Sequence, residues 1–532
     1  MLVRTSILLL GCLVVPGAAL ARPTGLEPRG STRSESAAVV CSPLRVEVSS
    51  AATETPSPAA LLRPGFGPSA RTDAPDARSA PTARDDAPTL TDVRAQEKVA
   101  LVRRLHELAR WCNDQKLYQE RDRVWRQVIA LEPDDLDARK GLRFARNPDG
   151  TWKEPAPRPA QNLNKKALAE LPARRAAALA PYRDALLAAL DREPAATRPT
   201  ASVHQDLLAL DPDDAVVRTR RGEVRDGDAW VLAETVRGRA RRTELRALVQ
   251  AALAAPVELA PSPAAGPELP WVDAWTYGAR SERVRVLSTG DAADGAALAG
   301  KLDATVRVVA ELFGVPAKGP AEFTFYVAPG AAREAFLARH PAFDDALRAA
   351  FAKTPGAGLP GSTHTVLFEA EARRRDDCAV RNALWQLLRL HFGVERVHGW
   401  AFEGLGLYLT RELVGSRLTW SVLANRDAEA LRAGLLAPES NWMNEGLTLM
   451  RAPNAPPLAT VLDLPVTAMT VPDLVVGYVF SAYLLEGRPG DAANFLARTG
   501  AGKKADETAR EVLGTTMDEL KPRLVRWLEE RR

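Results

Sequence analysis

Histidine and cysteine are scarce in this 532-residue chain, and neither sign of charge prevails by much. It has six histidines and four cysteines, and 71 Lys and Arg stand against 67 Asp and Glu, a formal net charge of +4. Four cysteines exclude a disulfide-built scaffold. Near-balanced charge argues against a nucleic-acid binder, which would concentrate basic side chains on one face. Six histidines let every histidine-based metal site be checked one by one. Phosphate-binding loops are also missing, because Gly356-Ala357-Gly358 and Gly500-Ala501-Gly502-Lys503 lack the four-residue spacing before Gly-Lys. No Gly-x-Ser-x-Gly nucleophile elbow occurs.

Long apolar runs are absent beyond the N-terminus, so no integral membrane span is expected in the mature chain. Residues 1–21 read as a signal peptide: Arg4 gives a positive start, Ile7 to Leu20 a short apolar stretch, and Ala19-Leu20-Ala21 a small-x-small cleavage site. Export to the periplasm, cell surface or exterior follows. Cys12 after Leu10-Gly11 has the look of a lipoprotein box, but its apolar run would be only about four residues, short for a signal core. After cleavage Cys41, Cys112 and Cys378 remain, an odd number, and no structural disulfide is expected. Residues 22–91 hold ten prolines and one aromatic, Phe66. Such a stretch cannot bury enough apolar surface to offset its ordering entropy and is read as a disordered spacer.

What is present begins with helical periodicity. Leu101, Leu105, Leu108 and Cys112 make one apolar stripe, and Leu117, Val124, Val128 and Leu131 a second, stopped by Pro133. The passage Ala130-Leu131-Glu132-Pro133-Asp134-Asp135 recurs 79 positions on as Ala209-Leu210-Asp211-Pro212-Asp213-Asp214. Arg139, Gly141, Gly150 and Trp152 are echoed by Arg218, Gly222, Gly227 and Trp230. The repetition predicts two related modules, 92–160 and 161–254, each a helical pair followed by a Gly-turned hairpin burying a Trp. They resemble tetratricopeptide-type repeats, and either bind protein or act as a packing spacer. Residues 255–270 read as a linker. His106-Glu107-Leu108-Ala109-Arg110 imitates half of a zinc-protease motif, but Arg110 stands where a second histidine is required.

From Trp271 onward the chain reads as one α+β unit. Strands are predicted at 283–287, 323–327 and 363–368, with helices at 296–313, 378–392 and 400–413. Trp400, Glu403, Gly404, Leu405, Gly406 and Tyr408 then spell W-x-x-E-G-L-G-x-Y. This order and motif resemble the gluzincin metallopeptidases, and more narrowly the bacterial peptidase-MA-like group, over 271–532. The resemblance implies a small sheet with helices, with Glu403 as the third zinc ligand. The preceding helix should then carry H-E-x-x-H, two imidazoles one turn apart with a general-base Glu between. Gln386-Leu387 sets the register. Arg381 falls at the first His, Asn382 at the Glu and Trp385 at the second His. A guanidinium has no lone pair to offer, an indole N–H only donates, and an amide takes no proton at useful pH.

These replacements argue against catalysis and predict that Arg381 pairs with Glu403 as a bidentate guanidinium, with Trp385 filling the space of metal and second His. No cofactor is then needed, and the partners expected are proteins or peptides. One alternative keeps an active zinc peptidase on a rearranged set, His391, Glu395, His398 and Glu403. Another makes the chain an envelope component whose modules carry the binding.

Overall fold

The computed structural model describes residues 88–156, 161–194, 198–317, 322–341, 343–345, 348–349, 356–359, 362–369, 371–418 and 440–531. The signal peptide, Cys12, Cys41 and nearly all of the 22–91 spacer lie outside the described residues.

Helix α1 (Leu90–Asp114) starts where Thr89 and Asp92 cap each other's backbone amides. Its stripe of Leu101, Leu105, Leu108 and Cys112 is buried against Val124 and Val128 of α2 (Tyr118–Leu131), as the spacing predicts. Asp135 caps the short α3 (Leu136–Gly141), and β1 (Ala145–Arg146) pairs with β2 (Trp152–Lys153). Next come α4 (Lys165–Arg192), α5 (Thr200–Leu210) and α6 (Ala215–Arg220), capped by Asp214, then the hairpin β3 (Glu223–Asp226) and β4 (Ala229–Leu232).

The recurrence in sequence is a recurrence of bonds. Arg139 Nε donates to Pro133 O at 2.9 Å and Arg218 Nε to Pro212 O at 2.8 Å. Trp152 Nε1 reaches Asp134 at 3.2 Å, and Trp230 Nε1 reaches Asp213 at 2.9 Å. Gly150 and Gly227 both turn with positive φ, 85° and 60°, which an L side chain would strain. The two tryptophans are half-buried, not buried as expected, because each indole N–H leans out to an exposed aspartate.

Packing divides the chain elsewhere than the modules do. One core joins α1 to α6, ending at Val217. Leu232 and the Leu245, Val249 and Ala252 stripe of α7 (Ala233–Ala254) belong instead to the large core of the C-terminal unit. The second unit is therefore shared between two cores, and a boundary after residue 254 does not separate them. Residues 255–270 are likewise not a free linker. Ala260–Pro261 form β5, and Glu268 accepts from Arg285 Nη1 at 2.5 Å, Nη2 at 2.8 Å and Tyr326 Oη at 3.2 Å.

The C-terminal unit is α+β. A six-stranded sheet runs β5-β6-β7-β8-β10-β9, with β6 (Tyr277–Arg280), β7 (Val284–Ser288), β8 (Phe323–Val327), β9 (Gly356–Gly358) and β10 (His364–Leu367). The three central strands β7, β8 and β10 are parallel and the outer pairings antiparallel. Helix α8 (Ala292–Phe313) crosses between β7 and β8, and α9 (Arg333–Arg339) follows β8. Helix α10 (Ala372–Phe392) packs on α8 and the sheet. A π-helical stretch at Trp400–Leu405 leads into α11 (Gly406–Val414). Among the described residues six further helices follow: α12 (Trp442–Arg451), α13 (Leu458–Leu462), α14 (Val471–Ala482), α15 (Pro489–Gly500), α16 (Ala505–Leu513) and α17 (Met517–Glu530). Among the described residues no helix is long and apolar enough to cross a membrane.

Candidate functional site: a buried guanidinium between two carboxylates

Helix α10 is held at both ends. Glu371 caps its first amides, and Gly393 ends it with φ 70° and an N–H bonded to Arg389 O. Between these ends lies a face of buried polar residues unusual for a helix centre: Asp377, Arg381, Asn382 and Gln386.

Arg381 and Glu403 are both 0% exposed, and Arg381 Nη1 donates to Glu403 Oε2 at 2.6 Å. The pair expected from sequence is there, but it is monodentate. Arg381 Nη2 turns away to the Leu418 carbonyl, and Glu403 Oε1 has no hydrogen-bond partner among the described residues. Beside the guanidinium lies a third group that the motif register did not point to. Asp377, one turn before Arg381 and also 0% exposed, places Oδ1 3.8 Å from Nη2. Its other oxygen accepts from Ser416 Oγ at 2.7 Å and Leu418 N–H at 3.0 Å. The guanidinium is shared between two carboxylates, and Asp377 fixes the segment after α11 against α10. The i, i+4 spacing of Asp377 and Arg381 is a signal present in the sequence, but it lies outside the zinc register.

Asn382 spends its amide within its own helix, donating to Cys378 O at 2.8 Å. The Cys378 thiol beside it is pushed up to about 12 by burial and by Asp377. Cys378 and Cys112 are buried free thiols. Trp385 stacks on Phe402 with ring centres 4.4 Å apart and planes at 16°, and its Nε1 donates to Phe402 O at 2.6 Å.

The Trp-x-x-Glu-Gly-Leu segment is built for close approach. Trp400 is buried, edge-on to Phe480 and Phe495 at 5.1 and 5.6 Å. A Cβ on Gly404 would stand 2.5 Å from the Gly477 carbonyl carbon, so only glycine lets the π stretch lie on α14. A Cβ on Gly406 would stand 3.3 Å from both Arg381 Cδ and Trp385 Nε1. Tyr408 Oη donates at 2.8 Å to Glu486, a fully buried carboxylate in a second π-helical stretch, Tyr483–Gly487. Arg531 closes that pair with Nε at 2.7 Å and Nη2 at 2.6 Å.

Zinc does not fit the residues gathered here. Arg381 has no lone pair, the Trp385 N–H is committed to a carbonyl, and the Asn382 amide to Cys378 O. Nor are the alternative ligands brought together. Among the described residues no three His, Cys, Asp or Glu side chains are grouped as metal ligands, His391, Glu395, His398 and Glu403 included. His398 Nδ1 accepts from the Glu395 N–H at 3.0 Å, a local turn contact. His391 sits in the last turn of α10, half-buried, with burial drawing its imidazole below the ordinary value. His106 in the half-motif of α1 is structural, with Nε2 2.8 Å from Asp135 and its ring edge-on to Trp125.

Compared with known proteins, the chain matches no family model, no curated protein and no solved structure.

Proposed function

We propose that residues 271–532 form a gluzincin-like domain of the peptidase-MA-like kind in which a guanidinium takes the place of the metal. The domain binds proteins or peptides instead of cleaving them, and needs no cofactor. One observation carries this reading: the carboxylate of the W-x-x-E-G-L motif is spent, fully buried, on Arg381 of the preceding helix. A buried carboxylate is costly without a cation, and the cation here cannot activate water. The reading also draws on the edge strand β9, which runs beside the same helix. A Cβ on Gly358 would lie 3.7 Å from Gln386 Nε2 and 3.9 Å from Asn382 Oδ1. A sheet edge can take an extended peptide as an added strand, through main-chain bonds that require no metal.

The two helix–hairpin units in front are proposed as a duplicated, tetratricopeptide-like module serving as a spacer, and residues 1–21 as the signal that exports the chain. Casein hydrolysis, followed with and without added zinc and chelator, tests the proposal. No turnover is expected in any condition, together with retained binding of labelled casein peptides by anisotropy. Hydrolysis abolished by chelator would establish the active, rearranged zinc peptidase instead.

A further inference from the structure

A cavity of about 600 Å³ lies between α7, α11, α12 and α14, with Arg531 also in its lining. Four arginines line it, Arg246, Arg411, Arg417 and Arg531, with Tyr408 and Tyr478 as aromatic walls. Its single lining carboxylate among the described residues is Glu412, whose Oε2 is 3.5 Å from Arg246 Nε. Glu486, behind the wall, is engaged with Arg531 at 2.6 Å and with Tyr408 at 2.8 Å.

A fifth arginine adds to the field. Arg242 is half-buried and has no ion-pair or hydrogen-bond partner among the described residues. Its guanidinium is drawn below the ordinary value by burial and then by Arg531, against an opposing pull from Glu486, with Arg246 adding to the lowering. Arg417 is lowered by burial and by Arg411. These guanidiniums thus lie within each other's fields, and among the described residues around the cavity five of them stand against two carboxylates, Glu412 and Glu486. Two are also held in place. Arg417 donates to Ser440 Oγ at 2.8 Å and lies 4.8 Å over the Trp442 ring, and Arg411 Nη1 donates to Gly415 O at 3.0 Å.

We infer that this cavity is a binding site for a small multivalent oxyanion, a phosphate-bearing or polycarboxylate solute. Several planar N–H forks on one concave wall match oxygen anions. Like charges confined there raise the energy of the empty site and lower that of the filled one. Donors already fixed by Ser440, Trp442 and Gly415 lose little freedom on binding. The volume falls within the range of roughly 300–1,000 Å³ usual for small-molecule pockets. The site uses none of Asp377, Arg381 or Glu403 and stands independently of the peptidase-like reading.

Titration calorimetry and thermal shift on the full chain, with inorganic phosphate and with citrate against sodium chloride of equal ionic strength, test it. Heat and a raised melting temperature are expected with at least one of the two anions and not with chloride. Phosphate alone points to a phosphoryl ligand, citrate alone to a carboxylate one. Arg246→Gln and Arg411→Gln should each weaken binding about tenfold. Arg246 is 62% exposed, so its variant keeps the test free of folding effects. Binding no better than the chloride control, or affinity unchanged in both variants, overturns the inference.

Discussion

At the scale of single residues, the chemistry of the candidate site reduces to one cation held by two buried carboxylates. Breaking such a pair from the cationic side is expensive, since Glu403 and Asp377 would both remain buried and unpaired. Arg381→Met should therefore lower unfolding free energy by about 3–5 kcal/mol. Glu403→Gln should cost less, because Asp377 still faces the guanidinium. The double variant should lose less than the sum of the two, by denaturant unfolding. His340 supplies a second residue-scale prediction. It is buried among Trp271, Phe336 and Phe343, and burial, with His364, brings its imidazole from 6.5 down to about 4. A depressed folded value means stability present above 6.5 and lost as the pH falls from there toward 4. Melting temperatures across that interval should fall more steeply for the native chain than for His340→Phe.

At the scale of elements, the sequence was most informative where a pattern has a single cause. β7, β8 and β10 stood out as apolar or alternating runs, and β8 lies where it was expected, at 323–327. The strands β5, β6 and β9 went unseen. Two to four residues of Ala, Pro, Gly, Tyr and Arg carry no period, and Gly356-Ala357-Gly358 becomes a strand only because β10 offers it a partner. The π-helical turns at Trp400–Leu405 and Tyr483–Gly487 have no periodic signature either. Helix α17 shows what periodicity alone omits, namely which neighbour an element clamps. Arg523 holds the buried Glu234, whose only other side-chain partner among the described residues is Tyr483 Oη at 3.2 Å. Burial would push the Glu234 carboxyl up, but Arg523 outweighs it and holds it below the ordinary range. Arg526 shares Glu223 with Arg218 and Arg221. Arg523→Ala should therefore destabilise by about 3–5 kcal/mol and Arg526→Ala by clearly less, since Glu223 keeps two cations. Chemical denaturation of the two variants side by side checks the order.

At the scale of the whole molecule, the two cores meet inside what the repeated sequence marks as one unit. The recurrence of matched residues was legible in the sequence, whereas the division of packing was not, because the partner of the Leu245, Val249 and Ala252 face cannot be read from the helix that bears it. A chain beginning at Glu223 retains the β3–β4 hairpin and α7 and should fold cooperatively. One beginning at Ala255 exposes the α7 side of the large core and should unfold at lower temperature or aggregate, as differential scanning calorimetry would show. Among the candidate-site residues, Arg381, Asn382, Trp385 and Glu403 were legible from the motif register, and Asp377 emerged only when the segment at Ser416 and Leu418 came to rest on it. Arg381 is proposed to fill the place of a metal, and zinc stoichiometry tests that. Zinc bound per chain should be measured by calorimetry and elemental analysis on the native protein and on a variant carrying Arg381→His, Asn382→Glu and Trp385→His. The native chain is predicted to hold none and the variant to gain about one equivalent; one equivalent of zinc on the native chain would contradict the claim.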